Sequence, residues 1–250
     1  MSSLIGKRAF VTGGATGIGL AITRALVEAG AVVTVASRNV DRASAVVADL
    51  PDADAVMLDV SDADNVASVF DKAGPIDVLV NNAGIATAAP FHKTSLELWS
   101  SVLAVNLSGV FLCTQAALPS MRERESGRVI NIASTAALKG YPYTAAYGAA
   151  KHGVVGMSRS LAIELAKTNI TVNCVCPGFT DTAIASDAIA NIKSKTGRTA
   201  GEALADLIKN NPQGRLIETD EIADVVLWLC RPESRSINGQ SIAVAGGEIM

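Results

Sequence analysis

The chain is poor in the residues that most metal and redox chemistry needs. Its 250 residues include 2 histidines, His92 and His152, and 4 cysteines, Cys113, Cys174, Cys176 and Cys230, with no C-x-x-C pair among them. That is too little for most zinc chemistry, so no metal is expected. Cys174 and Cys176 share a strand-like run with Val172 and Val175, which reads as two packed thiols in a reduced protein. An excess of one charge is also missing: 21 Lys and Arg against 24 Asp and Glu give a formal net charge of -3. No global basic field draws in nucleic acid or an anionic membrane, and neither is expected as a partner. Internal repeats, low-complexity tracts and Pro/Gly-rich linkers are absent, so one domain over residues 1–250 is expected. The opening Met1-Ser2-Ser3-Leu4 lacks the charged-then-apolar layout of a secretory signal, and a cytoplasmic location is the expectation.

Apolar residues, by contrast, are plentiful. They make up 49% of the chain, enough to bury one sizeable core, which excludes disorder and collagen-like structure. Residues 98–121 carry no charge and are long enough to span a bilayer of roughly 30 Å. The run nevertheless holds Ser100, Ser101, Asn106, Ser108, Thr114, Gln115 and Pro119, and no second span accompanies it. It is expected to be a buried helix at a subunit interface.

Short β-branched runs at 8–12, 32–36, 55–58, 78–80, 129–132, 170–175 and 242–244 alternate with helical patterns near 18–29, 42–49, 62–72, 96–118, 146–167 and 220–229. Seven strands interleaved with helices predict an α/β fold with a parallel, doubly wound sheet. Residues 183–212 break the rhythm with two helical patterns, 185–195 and 200–209, around Thr196-Gly197-Arg198. So long an excursion between strands predicts a helical substrate lobe or lid.

The first strand runs into Thr12-Gly13-Gly14-Ala15-Thr16-Gly17-Ile18-Gly19 and then a helix. Glycines there let backbone approach a ligand, and the helix start offers unpaired N–H groups suited to a pyrophosphate. NAD-binding folds commonly carry an acid about 20 residues further on for the ribose 2′-OH. This chain has Ser37-Arg38 and no acid before Asp41, so the 2′-phosphate of NADP is the better electrostatic match, with NAD still open. After the fifth strand come Ser134 and then Tyr147 and Lys151, four apart and thus on one face of a helix. A unit charge at ~4 Å in an effective dielectric of ~20 is worth about 4 kcal/mol, which would lower a phenol by up to roughly 3 pKa units. On that basis Tyr147 would exchange a proton near neutrality.

Together these residues resemble the short-chain dehydrogenase/reductase family over residues 7–247. The likeness rests on Thr12-Gly13-x-x-x-Gly17-x-Gly19, Asp59-Val60, Asn81-Asn82-Ala83-Gly84, Asn106, Ser134, Tyr147-x-x-x-Lys151 and Pro177-Gly178. The resemblance implies a Rossmann-type, three-layer α/β/α fold. It also implies that Tyr147 is the catalytic acid/base, that Lys151 lowers its pKa and binds the nicotinamide ribose, that Ser134 holds the substrate carbonyl and that Asn106 anchors a relay water. For the cofactor it implies contacts from Gly13, Thr16, Gly17, Ile18 and Gly19, from Ser37 and Arg38, from Asp59 and Val60 to adenine, and from Asn81, Ala83 and Gly84. Further contacts would come from Tyr147, Lys151, Pro177, Gly178, Thr180 and Thr182. Two departures stand out: Thr180 where an aliphatic residue is common, and Thr16 where many NADP-using members have a basic one.

The expected substrate walls are Ile85, Ala86, Ala88, Ala89, Thr135–Ala137, Leu138, Tyr141, Tyr143 and the lobe, a small apolar cleft that fits a ketone or acyl chain. The chain most resembles the β-ketoacyl thioester reductases, the related polyketide-type ketoreductases and the 3-hydroxyacid dehydrogenases. The expectation is an NADP(H)-dependent reductase of 3-oxoacyl thioesters on CoA or an acyl carrier protein, acting on CH–OH groups. An NAD-dependent 3-hydroxybutyrate or secondary-alcohol dehydrogenase is the alternative. A nucleotide-binding scaffold without turnover is disfavoured by the intact Ser134, Tyr147 and Lys151. The apolar surface of residues 98–121 and 146–167 implies an oligomer, and the resemblance suggests a homotetramer.

Overall fold

The computed structural model describes residues 4–249; the start at Met1–Ser3, read above for a signal, lies outside them. Seven strands form a single sheet: β1 (Arg8–Thr12), β2 (Val32–Ser37), β3 (Ala53–Met57), β4 (Val78–Asn81), β5 (Ser126–Ile132), β6 (Asn169–Pro177) and β7 (Ser241–Val244). Their order is β3-β2-β1-β4-β5-β6-β7, and every pairing is parallel. The connections carry α1 (Gly17–Glu28), α2 (Val40–Val47), α3 (Ala63–Ala73), α4 (Leu96–Leu103), α5 (Gly109–Glu123), α6 (Ala145–Glu164), α7 (Ala183–Thr196), α8 (Ala200–Ile208) and α9 (Thr219–Cys230).

Strand alternation sorts the core into two layers. Ala9, Val11, Val33, Val35, Val78, Val80 and Ile130 face Ile22 and Leu26 of α1 and Ile222, Val226 and Leu229 of α9. The intervening Phe10, Leu79 and Val129 point the other way, toward Val66 and Phe70 of α3, Cys113, Ala117 and Met121 of α5 and Ala162 of α6. Helices therefore cover both faces, as a parallel sheet requires, and the architecture is the expected three-layer Rossmann type. All four cysteines are free and buried.

The long apolar run departs from expectation. The helix does not end near residue 118: α4 passes through a π-helical turn at Ala104–Ser108 into α5, which continues through Pro119 to Glu123. Nor is it wholly buried. By length and composition Leu96–Glu123 is apolar enough to cross a membrane, and 39% of its most apolar window is buried. Val110, Cys113, Thr114, Ala117 and Met121 face inward while Phe111 is 46% exposed. The helix is amphipathic by packing, with an inner stripe on the sheet and an apolar outer one.

The excursion at 183–212 is the helix pair α7 and α8. Gly197, at φ 72, ends α7, and Thr199 starts α8 with a reciprocal capping box to Glu202. Arg198 pairs with Asp206, so part of the lobe's charge is spent internally.

Candidate active site

The register sets Thr12 beside Ala36 and Asn81, and Asn81 beside Asn131, so the loops after β1, β2, β4 and β5 open on one edge of the sheet. Strand order reverses between β1 and β4, which leaves a crevice there. Two residues that sequence reasoning left unassigned stitch its floor. Thr12 Oγ1 accepts from the backbone N–H groups of Asn82 and Ala83, both at 3.0 Å, and Asn82 Nδ2 donates to the carbonyls of Thr12 (3.0 Å) and Gly13 (3.1 Å). Asn82 lay inside a motif already singled out, but nothing in its position showed that its side chain would cross to β1.

Gly19 is needed for close approach, since a Cβ there would lie 2.2 Å from the Gly13 carbonyl oxygen. This lets α1 begin directly under the loop. Its N-cap, Thr16, makes no side-chain cap, and no acid stands in the first turn. The amides at Gly17, Ile18 and Gly19 are thus available to an anion. The Thr182 methyl sits 3.1 Å from where a Cβ of Gly17 would be, so the start of α7, likewise uncapped by its side chain, converges on the same spot.

The crevice, about 210 Å³, is lined by Gly13, Ser37, Arg38, Asp59, Val60, Ala83 and Gly84 from the expected set, and also by Arg42. Asn39 caps α2 by accepting from the Arg42 N–H at 2.9 Å, which sets Arg42 one turn into the helix beside Arg38. Neither guanidinium has a hydrogen bond or ion pair among the described residues. The signal for Arg42 was its four-residue spacing from Arg38 across a predicted helix start. The Asp59 carboxylate is held below its ordinary range by the Ser61 hydroxyl and amide, and to a lesser degree by Arg38. Asn81 is buried, and its side chain donates to Thr114 (3.0 Å) and Asn131 (2.8 Å) inside the core, so it does not reach into the crevice.

Beyond Gly84 the second constellation begins. A Cβ on Gly84 would stand 2.8 Å from Asn106 Oδ1 and 3.8 Å from Lys151 Nζ. Asn106, fully buried in the π-helical turn, donates to the carbonyls of Ile85 (2.9 Å) and Val102 (3.0 Å) and accepts from the Ile85 N–H (3.2 Å). Lys151 is 3% exposed, donates to the Ile132 carbonyl at 2.8 Å, and lies 5.7 Å from the Tyr147 ring centroid. The Ser134 side chain lies near enough to the Tyr147 phenol to draw its pKa down, and its hydroxyl accepts from the Ala136 N–H at 3.1 Å. Pro177 ends β6, the Gly178 N–H donates to Val244, and the Thr180 hydroxyl donates to the Gly178 carbonyl at 3.0 Å. Gly84, at the crevice wall, thus leads to Asn106 and Lys151, and Lys151 to Tyr147 and Ser134.

Two expectations need correction. Tyr147 stands above the ordinary tyrosine pKa, because burial outweighs the downward pull of Ser134. Lys151 does not lower it here; desolvation brings the ammonium itself down to about 8, and its proton points to Ile132. Thr135, Ala136 and Ala137 are buried rather than lining an open cleft, because the turn after Ser134 packs them under α6.

A family model described as short chain dehydrogenase matches residues 7–193. The chain belongs to that family. A relative short chain dehydrogenase of Synechocystis sp., named 3-oxoacyl-acyl-carrier-protein reductase, is 38% identical across 100% of both chains. The D-beta-hydroxybutyrate dehydrogenase of Rhizobium meliloti is 34% identical over 96% of this chain and 98% of its own. A crystal structure of a Phe-to-Trp variant of actinorhodin polyketide ketoreductase with NADPH superposes with a TM-score of 0.93 at 35% identity, covering 99% of each chain. As a short chain dehydrogenase the protein is an NAD(P)-dependent oxidoreductase of carbonyl and hydroxyl groups. Its own residues fit that cofactor: an uncapped helix start, a crevice reaching from Gly13 to Gly84, and the Arg38 and Arg42 guanidiniums, which have no hydrogen bond among the described residues, lining it.

Proposed function

We propose that the protein reduces the 3-oxo group of an acyl thioester, on CoA or an acyl carrier protein, at the expense of NADPH. The observation that carries the chemistry is the half-buried Tyr147 beside Ser134 and one helical turn from the buried Lys151, with Arg38 and Arg42 lining the neighbouring crevice. Arg38, Arg42 and Ser37 would hold the 2′-phosphate, the start of α1 the pyrophosphate, and Asp59 and Val60 the adenine. Bound NADPH supplies the hydride. The Ser134 hydroxyl donates a hydrogen bond to the carbonyl oxygen, and Tyr147, kept protonated by burial, gives that oxygen its proton. Lys151, 5.7 Å from the Tyr147 ring centroid, would bind the ribose and help restore that proton.

The thioester is supported by the name of the Synechocystis relative and by small side chains at Ala86, Ala88 and Ala89, which follow Gly84 and Ile85 in the chain. The lobe at 183–212 would cover the acyl chain within a single domain. A cytoplasmic homotetramer is the assembly we infer, resting on the apolar outer groove of α5 and α6, which holds Phe111, Leu118, Met157 and Leu161.

Initial rates with acetoacetyl-CoA, NADPH and NADH, against an aryl ketone control, test this reading. Fast turnover limited to NADPH and the thioester supports it. Turnover with NADH, or of the simple ketone alone, moves the protein to the alcohol or 3-hydroxyacid dehydrogenases, the reading that the name of the Rhizobium relative favours.

A further inference from the structure

The carboxyl-terminal segment meets the site at a point that the chemistry above does not use. After β7 the chain turns through Gly246 (φ 61) and Gly247 (φ 92), backbone that side chains rarely adopt. A Cβ on Gly246 would fall 2.1 Å from Asn211 Oδ1, and one on Gly247 would lie 3.3 Å from Pro212, so the turn is pressed against the end of the lobe. It delivers Glu248 to the rim of the site, with its side chain 3% exposed. There Oε1 accepts from the Tyr141 hydroxyl at 2.6 Å and from Lys139 Nζ at 2.8 Å. The phenol's one proton is committed to Glu248, so the Thr135 hydroxyl, 2.7 Å away, donates to it. The Tyr141 ring meets Phe179 edge-on at 6.1 Å, and Glu248 Oε2 lies 3.4 Å from where a Cβ of Gly178 would stand.

One carboxylate thus joins the turn that follows Ser134, the loop that follows β6, and the turn after β7 seated on the lobe. Stability alone is a weak reason for it, because an apolar residue of similar size would bury at lower cost than an ion pair. We propose that Glu248 is a positioning residue for the substrate side of the site: by fixing Tyr141 and Thr135 it sets the Ser134 turn against the Phe179 loop, and with it the approach of the carbonyl to Ser134 and Tyr147. This rests on carbonyl reduction by the site and not on the thioester.

The test uses the full chain as wild type, Glu248→Gln, Glu248→Ala, Tyr141→Phe and the double variant Tyr141→Phe/Glu248→Ala. Each is assayed with NADPH against both acetoacetyl-CoA and ethyl acetoacetate. A misplaced carbonyl should lower kcat by about tenfold in Glu248→Ala, with KM for NADPH held within about twofold. Glu248→Gln still accepts the phenol's proton and should keep most of the activity. The double variant should be no slower than Glu248→Ala, as expected when two residues act through one link. An unchanged kcat in Glu248→Ala, a parallel rise in KM for NADPH, or multiplying losses in the double variant would each overturn the proposal. Should Glu248→Ala not fold, Tyr141→Phe decides, since it cuts the same link without touching the charge, and wild-type kcat there overturns the idea. Wild-type inactivity on acetoacetyl-CoA with turnover of the ester counts against the thioester alone.

Discussion

Burial acts on Tyr147 and Lys151 in opposite senses, raising the phenol and lowering the ammonium to about 8, because each group loses hydration of its charged form. Tyr147→Phe should cut turnover by about a thousandfold while leaving NADPH binding intact, as read by quenching of protein fluorescence. Lys151 also carries a stability signature. Its folded pKa lies below the unfolded value of about 10.5, so the cost of holding it charged is fully present below pH 8 and is lifted as pH rises from about 8 to about 10.5. That cost is on the order of 3 kcal/mol at neutral pH. Relative to Lys151→Met, the cofactor-free wild type should therefore gain stability between pH 7 and pH 10. Urea melts at the two pH values check the sign, and a constant difference would contradict it. At the far end of the crevice, Arg38→Ala and Arg42→Ala should each raise KM for NADPH about tenfold and leave NADH unchanged, the loss of one charge-assisted contact. Steady-state rates with the two cofactors decide this, and an equal effect on both would remove Arg42 from the phosphate end.

At the scale of elements, the crevice exists because α1 starts so close to β1. A Cβ on Gly19 would meet backbone on one side and Asn82 Nδ2, 2.4 Å away, on the other, and the backbone cannot step aside. Gly19→Ala should destabilise the fold by about 3 kcal/mol and weaken NADPH binding far more than Arg42→Ala does, since it shifts the whole helix start. Thermal unfolding and cofactor titration on the same sample separate the two effects. The π-helical turn between α4 and α5 is the other element with a direct bearing on the site. The Asn106 side chain takes the Val102 carbonyl four residues back, and so fixes Ile85 over the crevice.

For the whole molecule, the outer face of α5 and α6 is apolar where a lone chain would meet water. Phe111, Leu118, Met157 and Leu161 line a groove of about 700 Å³ edged by the Arg122–Glu164 pair. If the proposed tetramer uses this groove, Phe111→Glu should shift it toward smaller species in light scattering at micromolar concentration, with the secondary structure unchanged. A wild-type chain that is monomeric under those conditions would contradict the inferred assembly.

The order β3-β2-β1-β4-β5-β6-β7 came only with the structure, whereas parallel pairing and most element positions were legible in the amino-acid sequence, because β-branched runs of period two and helical runs of period 3.6 are local patterns. So was the triplet Ser134, Tyr147 and Lys151, whose four-residue spacing needs only a helix to bring two of its members onto one face. Residues joined across the sheet edge were not legible. Asn82 crossing to β1 and Glu248 reaching Tyr141 depend on how separate loops converge, and no local pattern encodes that distance. Nor did spacing reveal the sense of the Tyr147 shift. That was decided by desolvation, which exists only once the chain has packed around the phenol and turned the Lys151 proton toward Ile132.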